Sequence, residues 1–305
     1  MIIIAGPCQY ENLDMSLEIA ETCRDICEEA SIDYIFKASF DKANRTSLSG
    51  QRGVGMSNCL EGFEKIKQQL KVRTITDIHE SYQADLVKEY VDVIQIPAFL
   101  SRQTDLIRSA VDTGKIINIK KGQFMAPWDI SGVLTKCEDA NEVWVTERGV
   151  THGYNNLVVD FSGLDYMINN LEVPVFFDVT HSVQKPSIEG NSTGGDRALV
   201  PGLARAASAM GVDNFFFEVH PNPDKSPSDG PNSIFLDSFK ELVEQLIEFN
   251  FNNLLAYFGY QVDINSTLNY FTSLTISQLS PIVPYLLLII VLIAKPRGLF
   301  GKRDV

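Results

Sequence analysis

Short apolar, β-branched runs recur along the first 250 residues, with longer stretches of helical spacing between them. The runs are Ile2–Ala5, Tyr34–Lys37, Arg73–Asp77, Val93–Ile96, Ile116–Lys120, Val143–Thr146, Val175–Asp178 and Phe215–Glu218. Continuous apolar runs of this length suit strands buried on both faces of a parallel sheet. Between them, Leu17, Ala20, Cys23, Arg24 and Cys27 mark one helical stripe, and Leu60, Phe63, Ile66 and Leu70 another. Leu203, Ala206, Ala207 and Met210 precede the eighth run, and Phe239, Leu242, Val243, Leu246 and Ile247 form the last helix, which the pattern ends by Asn250. Eight βα units in about 250 residues predict a (β/α)8 TIM barrel of the α/β class. A doubly wound open sheet is the other arrangement; no G-x-G-x-x-G follows the first strand, which weakens a dinucleotide-binding version of it.

The pattern changes near residue 251. Leu279 to Ala294 carries one Ser and two Pro among apolar residues, and Lys295 and Arg297 follow at once. This run is borderline for a spanning helix, which wants roughly 17–25 apolar residues. The chain therefore divides into a barrel domain over 1–250 and a hydrophobic tail over 251–305, outside the barrel, that is a fusion, a single membrane helix or a helix docked on a neighbour. Lys295-Pro296-Arg297-Gly298-Leu299-Phe300-Gly301 resembles the end of a branched-chain amino-acid transporter permease.

Charge narrows the function classes. The chain holds 26 Lys+Arg against 39 Asp+Glu. Residues 1–250 hold 22 of the basic and 37 of the acidic residues, so the tail is slightly basic. So acidic a body argues against a nucleic-acid partner. Five cysteines with no C-x-x-C pair argue against a disulfide framework and point to a reducing, cytoplasmic compartment. The N-terminal Met-Ile-Ile-Ile-Ala-Gly-Pro-Cys has no basic region ahead of its apolar residues, which points away from a secretory signal.

In a barrel of this kind the active site lies beyond the C-terminal ends of the strands. Polar chemistry follows nearly every strand: Gly6-Pro7-Cys8; Lys37, Ser39, Asp41, Lys42, Asn44, Arg45; Asp77, His79; Gln95, Pro97, Phe99, Arg102; Lys120-Lys121; Glu147-Arg148; Asp178, His181; and Glu218, His220, Asp229. Two sets separate by chemistry. Lys37, Lys42, Arg45, Lys120, Arg148 and Arg102 are six cations expected to converge on an anion with more than one phosphate or carboxylate. Ion pairs with Asp41, Asp77 and Glu147 would still leave a surplus. A Schiff-base lysine is the competing use of such a cluster. Cys8, His181, Glu218 and Asp229 are side-chain types that suit zinc, iron or manganese, although no ligand spacing supports them and Cys8 could equally be a buried hydrophobe. Cys23 and Cys27, four apart with Ala20, read as core.

Several stretches resemble 3-deoxy-D-manno-octulosonate 8-phosphate (KDO-8-phosphate) synthases: Phe36-Lys37-Ala38-Ser39-Phe40-Asp41-Lys42-Ala43-Asn44-Arg45, Thr76-Asp77-Ile78-His79-Glu80, Gln95-Ile96-Pro97-Ala98-Phe99 through Arg102-Gln103-Thr104-Asp105, and Lys120-Lys121-Gly122-Gln123-Phe124. Glu147-Arg148-Gly149, Gly153 to Asp160, Asp178-Val179-Thr180-His181-Ser182 and Glu218 with His220-Pro221 continue it, so the likeness spans residues 1 to about 250. The resemblance implies a (β/α)8 barrel that condenses phosphoenolpyruvate with arabinose 5-phosphate and water, releasing phosphate, for the inner core of lipopolysaccharide. It implies that Lys42, Lys120 and Arg148, with Ser39, Ala98 and Lys37, hold phosphoenolpyruvate, and that Asn44, Arg45 and Thr46 hold the sugar phosphate. It places Asp77, His79, Gln95 and Phe99 in the same site, with Lys42, Lys120, Arg148, His181 and Asp77 in catalytic roles. Arg102 would reach a neighbouring subunit, making the protein a homo-oligomer, commonly a tetramer. Cys8, His181, Glu218 and Asp229 would bind one divalent metal, because the metal-free branch carries Asn at the Cys8 position. Thr46 stands where Ser is usual and His152 where Phe is usual. An N-terminal hairpin carried by many relatives would be missing. The related synthase that uses erythrose 4-phosphate is the alternative; it typically has Lys-Pro-Arg where this chain has Lys42-Ala43-Asn44-Arg45. A membrane-anchored role is suggested by the tail alone.

Overall fold

The computed structural model describes residues 1–45, 47–151, 155–186 and 193–258. All eight predicted strands form: β1 Ile2–Gly6, β2 Asp33–Lys37, β3 Arg73–Asp77, β4 Val93–Ile96, β5 Ile116–Lys120, β6 Val143–Glu147, β7 Val175–Asp178 and β8 Asn214–His220. Each pairs in parallel with the next, and β8 returns to β1 with Ile4 opposite Phe216 and Gly6 opposite Glu218. That last pairing closes the sheet, so the chain is a barrel and not a doubly wound sheet.

Nine helices are described: α1 Leu13–Glu29, α2 Met56–Leu70, α3 Gln83–Val87, α4 Thr104–Val111, α5 Ser131–Leu134, α6 Phe161–Asn170, α7 Val179–Ser182, α8 Val200–Ala209 and α9 Phe239–Phe258. Asn12 starts α1 by accepting the Met15 N–H at 2.9 Å, supplying one of the bonds that a helix N-terminus lacks. Ile19, Ala20, Cys23 and Cys27 then face the core as a helical stripe. In α8 the buried face is Val200, Ala204, Ala207 and Ser208, rotated from the predicted stripe, of which Ala207 alone is buried. Apolar residues surround that helix on most sides, so periodicity could not fix its phase. α9 continues past the predicted end at Asn250, because residues 251–258 contain neither Gly nor Pro to stop it.

The strand period of two builds the interior. Ile4, Ile35, Ile75, Val93, Trp144, Phe176 and Phe216 point inward and fill the lower barrel. Two residues further along, the inward positions become Gly6, Lys37, Asp77, Gln95, Asp178 and Glu218. The apolar plug thus carries a polar layer above it, at the C-terminal mouth. The opposite strand faces pack on the helices in a second, larger cluster. At Gly6 an added Cβ would lie 2.0 Å from the Lys37 carbonyl oxygen, so only glycine lets β1 and β2 meet at the mouth.

Compactness divides the chain into Met1–Asn253 and Leu254–Val305, three residues beyond the boundary expected from composition. The permease-like run and the rest of the tail after Phe258 lie outside the described residues. Among the described residues no helix is long and apolar enough to cross a membrane.

Candidate active site

A cavity of about 860 Å³ opens at the C-terminal mouth. Of the six cations expected there, Lys37, Lys42, Arg45, Lys120 and Arg148 line it. Arg102 does not: it is exposed, on the turn after β4, and its backbone carbonyl accepts from Lys136 at 2.7 Å. The acids expected to pair with the cluster are mostly occupied elsewhere. Asp41 binds Arg52, and Glu147 binds the buried Lys121 at 3.2 Å. Lys37 pairs with Glu218 at 2.9 Å and Lys120 with Asp178 at 2.5 Å. Among the described lining residues five cations meet Asp77, Glu80, Asp178 and Asp229, so the expected surplus is small. What the cavity has instead is two adjoining side-chain sets of different chemistry, in contact through Lys37–Glu218 and through Asp178, which meets both Lys120 and His181.

The cationic set comes from β2, β5, β6 and the turns that follow them. Lys42 Nζ donates to Ser39 Oγ at 3.0 Å, Ser39 donates to Asp77, and Asp77 meets His79 Nε2 at 3.1 Å. Burial opposes the Lys42 charge, but Cys8, Asp77, Glu218 and Asp229 outweigh it, and its pKa rises above the usual lysine range. Burial would likewise raise Asp77, yet His79, Lys42 and Lys37 hold it far below the usual carboxylate range. Lys120 differs: burial, reinforced by Lys37 and Arg148, lowers it to about 8 against the pull of Asp178. Its ammonium lies 3.1 Å from the centroid of the Phe216 ring. A lowered lysine is what a Schiff base needs, but the Asp178 contact holds this one as a cation. Arg148 donates to Gln184, and its Nε is buried without a partner.

The second set comprises the four side chains expected to bind a metal, of which His181 and Asp229 line the cavity while Cys8 and Glu218 are buried beside them. Cys8 follows β1, His181 is carried by α7, Asp229 follows β8, and Glu218 lies within β8 and not beyond it. Ligand atoms of Cys8, His181 and Asp229 lie within 4.8 Å of one another. Cys8 Sγ is 2.9 Å from Asp229 Oδ2, and His181 Nε2 is 3.5 Å from both Asp229 Oδ2 and Glu218 Oε1. Asp178 caps α7 through the His181 N–H at 3.0 Å and meets His181 Nδ1 at 2.7 Å, turning Nε2 toward the cluster. Burial lowers the imidazole pKa, but Asp178 and Asp229 raise it further, to about 10. Glu218 Oε2 is fully buried and has no hydrogen-bond partner. An orphaned carboxylate oxygen beside a thiol, an imidazole and a second carboxylate fits a divalent cation.

The remaining expected residues are distributed as follows. Gln95, Ala98, Phe99, Asn44, His79 and Ser39 line the cavity. Arg45 lines it as well, but its guanidinium binds Gln9 and the Pro227 carbonyl at 2.9 Å, Ser228 at 3.1 Å and the Gln51 carbonyl at 2.7 Å, fastening two loops together. Thr46, His152 and Tyr154 lie outside the described residues. Cys23 and Cys27 are core, and all five cysteines are buried and free. His220 binds Glu11 at 3.0 Å, away from the cavity lining. The lining also includes residues that the sequence pattern does not single out as ligand-binding, among them Asp178, Gln123 and Gln184. Asp178 shares the apolar-then-charged alternation of Phe176 with its neighbours, a usable signal. Gln123 lies within Lys120-Lys121-Gly122-Gln123-Phe124. Nothing in the pattern marked Gln184, which follows no barrel strand directly.

A family model described as "DAHP synthetase I family" matches residues 1–252. Curated relatives named "2-dehydro-3-deoxyphosphooctonate aldolase" are similar over most of their length. One from Cyanothece sp. is 51% identical over 247 residues, covering 80% of this chain and 90% of the relative. One from Bradyrhizobium diazoefficiens is 50% identical over 250 residues, covering 81% and 89%. One from Agrobacterium fabrum is 49% identical over 250 residues, covering 81% and 88%.

Proposed function

The chain belongs to the DAHP synthetase I family, and from that membership we infer that it condenses phosphoenolpyruvate with D-arabinose 5-phosphate and water, giving 3-deoxy-D-manno-octulosonate 8-phosphate and phosphate. The observation that carries the choice of sugar is about 50% identity over some 80% of the chain to relatives named for the octonate. The alternative with erythrose 4-phosphate has the family description in its favour but no relative of that name among these.

In this reading the enol C3 of phosphoenolpyruvate attacks the aldehyde C1 of the sugar. Water adds at C2, and phosphate leaves from the tetrahedral carbon by C–O cleavage. Two phosphorylated substrates repel each other, so the protein must fix both in one orientation. Lys42, Lys120 and Arg148 would hold phosphoenolpyruvate, with Ser39, Ala98 and Lys37 beside it. Asn44, Arg45 and Thr46 would hold the sugar phosphate. Four of the five Arg45 N–H donors are engaged by Gln51, Ser228, Gln9 and Pro227, which leaves one Nη1 hydrogen for the phosphate unless those contacts are released. His79, with Nδ1 buried and unpartnered, and Gln95 offer further polar contacts.

Cys8, His181, Glu218 and Asp229 would hold one zinc, iron or manganese ion, and the orphaned Glu218 Oε2 supports that assignment. Bound there, the ion would supply Lewis-acid polarisation of the aldehyde or of a water. Arg102 and Phe99 are exposed, and a tetramer in which Arg102 reaches a neighbouring site would give the arginine its role. Five buried, unbridged cysteines support a cytoplasmic location.

Phosphate release from phosphoenolpyruvate, assayed with each aldose phosphate and with and without a chelator, tests the reading. Release that requires arabinose 5-phosphate and stops on chelation is expected. Release of equal rate with erythrose 4-phosphate contradicts the substrate assignment, and full activity in demonstrably metal-free protein contradicts the metal.

A further inference from the structure

Gln184 links Arg148 of the cationic set to Asp229 of the metal-ligand set. It stands in a two-residue strand, Gln184–Lys185, paired with Gly194–Gly195, and its side chain is buried. Its carboxamide oxygen accepts from Arg148 Nη2 at 2.5 Å, and its nitrogen donates to Asp229 Oδ1 at 2.6 Å. A guanidinium only donates and a carboxylate only accepts, so the amide has one orientation. Asp229 keeps its other oxygen, Oδ2, toward Cys8 and His181. Its backbone, at φ +53°, is pinned through its carbonyl by the N–H groups of Asn232 and Ser233 at 3.2 and 2.9 Å. The rotation of its carboxylate is therefore set by Gln184 on Oδ1 together with Cys8 and His181 on Oδ2, and Gln184 alone of these also reaches Arg148.

Resting on the reading of the site given above, we propose that Gln184 is a positioning residue that makes divalent-ion binding and phosphoenolpyruvate binding reinforce each other. A cation on Asp229 Oδ2 fixes that carboxylate. The carboxylate fixes the amide, and the amide holds Arg148 in one arrangement. Phosphoenolpyruvate then meets a guanidinium that is already ordered and loses less entropy on binding. The effect is reciprocal, so the anion tightens the cation by the same factor. Direct attraction between the two ligands adds to this and does not depend on Gln184. The share that disappears on substitution is the share that belongs to the amide.

The test measures Mn²⁺ affinity of the full chain from the electron paramagnetic resonance signal of free Mn²⁺, without and with saturating phosphoenolpyruvate. In the reciprocal titration, phosphoenolpyruvate affinity is measured without and with Mn²⁺. Gln184→Met keeps the volume and loses both hydrogen bonds. Gln184→Asn keeps the chemistry but is one methylene too short to reach both partners, and it serves if the Met variant does not fold. At least tenfold mutual tightening is expected in the unsubstituted protein, falling to threefold or less in the variants. Tightening that stays within twofold of the unsubstituted value in a folded variant overturns the inference. So does an unsubstituted protein that binds both ligands with no mutual tightening, and in neither case is the reading of the site affected. A protein that binds neither Mn²⁺ nor phosphoenolpyruvate overturns both.

Discussion

His181 shows how much one residue depends on its neighbours. Asp178 caps its turn, accepts a hydrogen bond from its Nδ1–H and leaves Nε2 facing two carboxylates. The raised pKa, about 10, means that the ring is an imidazolium at neutral pH when no ion is bound. In the ion-free protein this charge adds stability that is fully present below the unfolded value near 6.5 and is lost as pH rises through about 10. A metal needs the neutral ring, so an ion must displace that proton. Metal affinity should therefore climb as pH rises from 6 to 8, and calorimetry in buffers of different ionisation enthalpy should report proton release. Affinity that is flat over that interval contradicts the assignment of His181 as a ligand. Residue-level legibility was uneven. Charged types after each strand could be read as a site, and Cys8, His181, Glu218 and Asp229 do lie together. Their ion-pair partners could not be read, because Glu218 and Asp178 reach Lys37 and Lys120 across the barrel, at separations of 181 and 58 residues.

At the scale of elements, the strands were legible as continuous apolar, β-branched runs, and several of them carry a polar residue two positions beyond an inward apolar one. Ile35 with Lys37, Ile75 with Asp77 and Phe216 with Glu218 place the core and the site in one pattern. Helix phase was less so, as α8 shows, since an apolar helix has no polar face to orient it. Between the elements, the buried pair Lys121–Glu147 holds the turns after β5 and β6 together. Lys121 Nζ also donates to the Gly122 and Met125 carbonyls at 3.2 and 3.0 Å, and Glu147 accepts the Arg148 and Gly149 N–H groups at 3.0 and 2.7 Å. Both members are essentially without solvent contact, so removing one leaves an uncompensated buried charge. Lys121→Met should cost about 3–5 kcal/mol in urea unfolding. Lys121→Met combined with Glu147→Leu should recover most of that loss. A double variant no more stable than the single one contradicts this account of the pair.

For the whole molecule, the candidate site lies within the barrel. The cavity lining ends at Pro231, and the compact unit ends at Asn253. The family match also stops at residue 252. A chain cut after Phe258, retaining all of α9, should keep kcat/KM within about twofold of the full chain, which is the level at which distant changes leave a site untouched. A folded, inactive truncation would show that the tail belongs to the catalytic unit. The choice of sugar is likewise a property of the whole cavity, since both phosphates and the aldehyde must be seated together. A site built to hydrogen-bond sugar hydroxyls rejects analogues that lack them by large factors. The most direct measurement is therefore a competition: phosphoenolpyruvate with equal concentrations of arabinose 5-phosphate and erythrose 4-phosphate, the products resolved by mass spectrometry. The ratio of products reads the ratio of kcat/KM without separate assays. The eight-carbon 3-deoxy acid phosphate should exceed the seven-carbon one by roughly 100-fold or more, whereas an equal yield, or an excess of the seven-carbon product, contradicts the assignment.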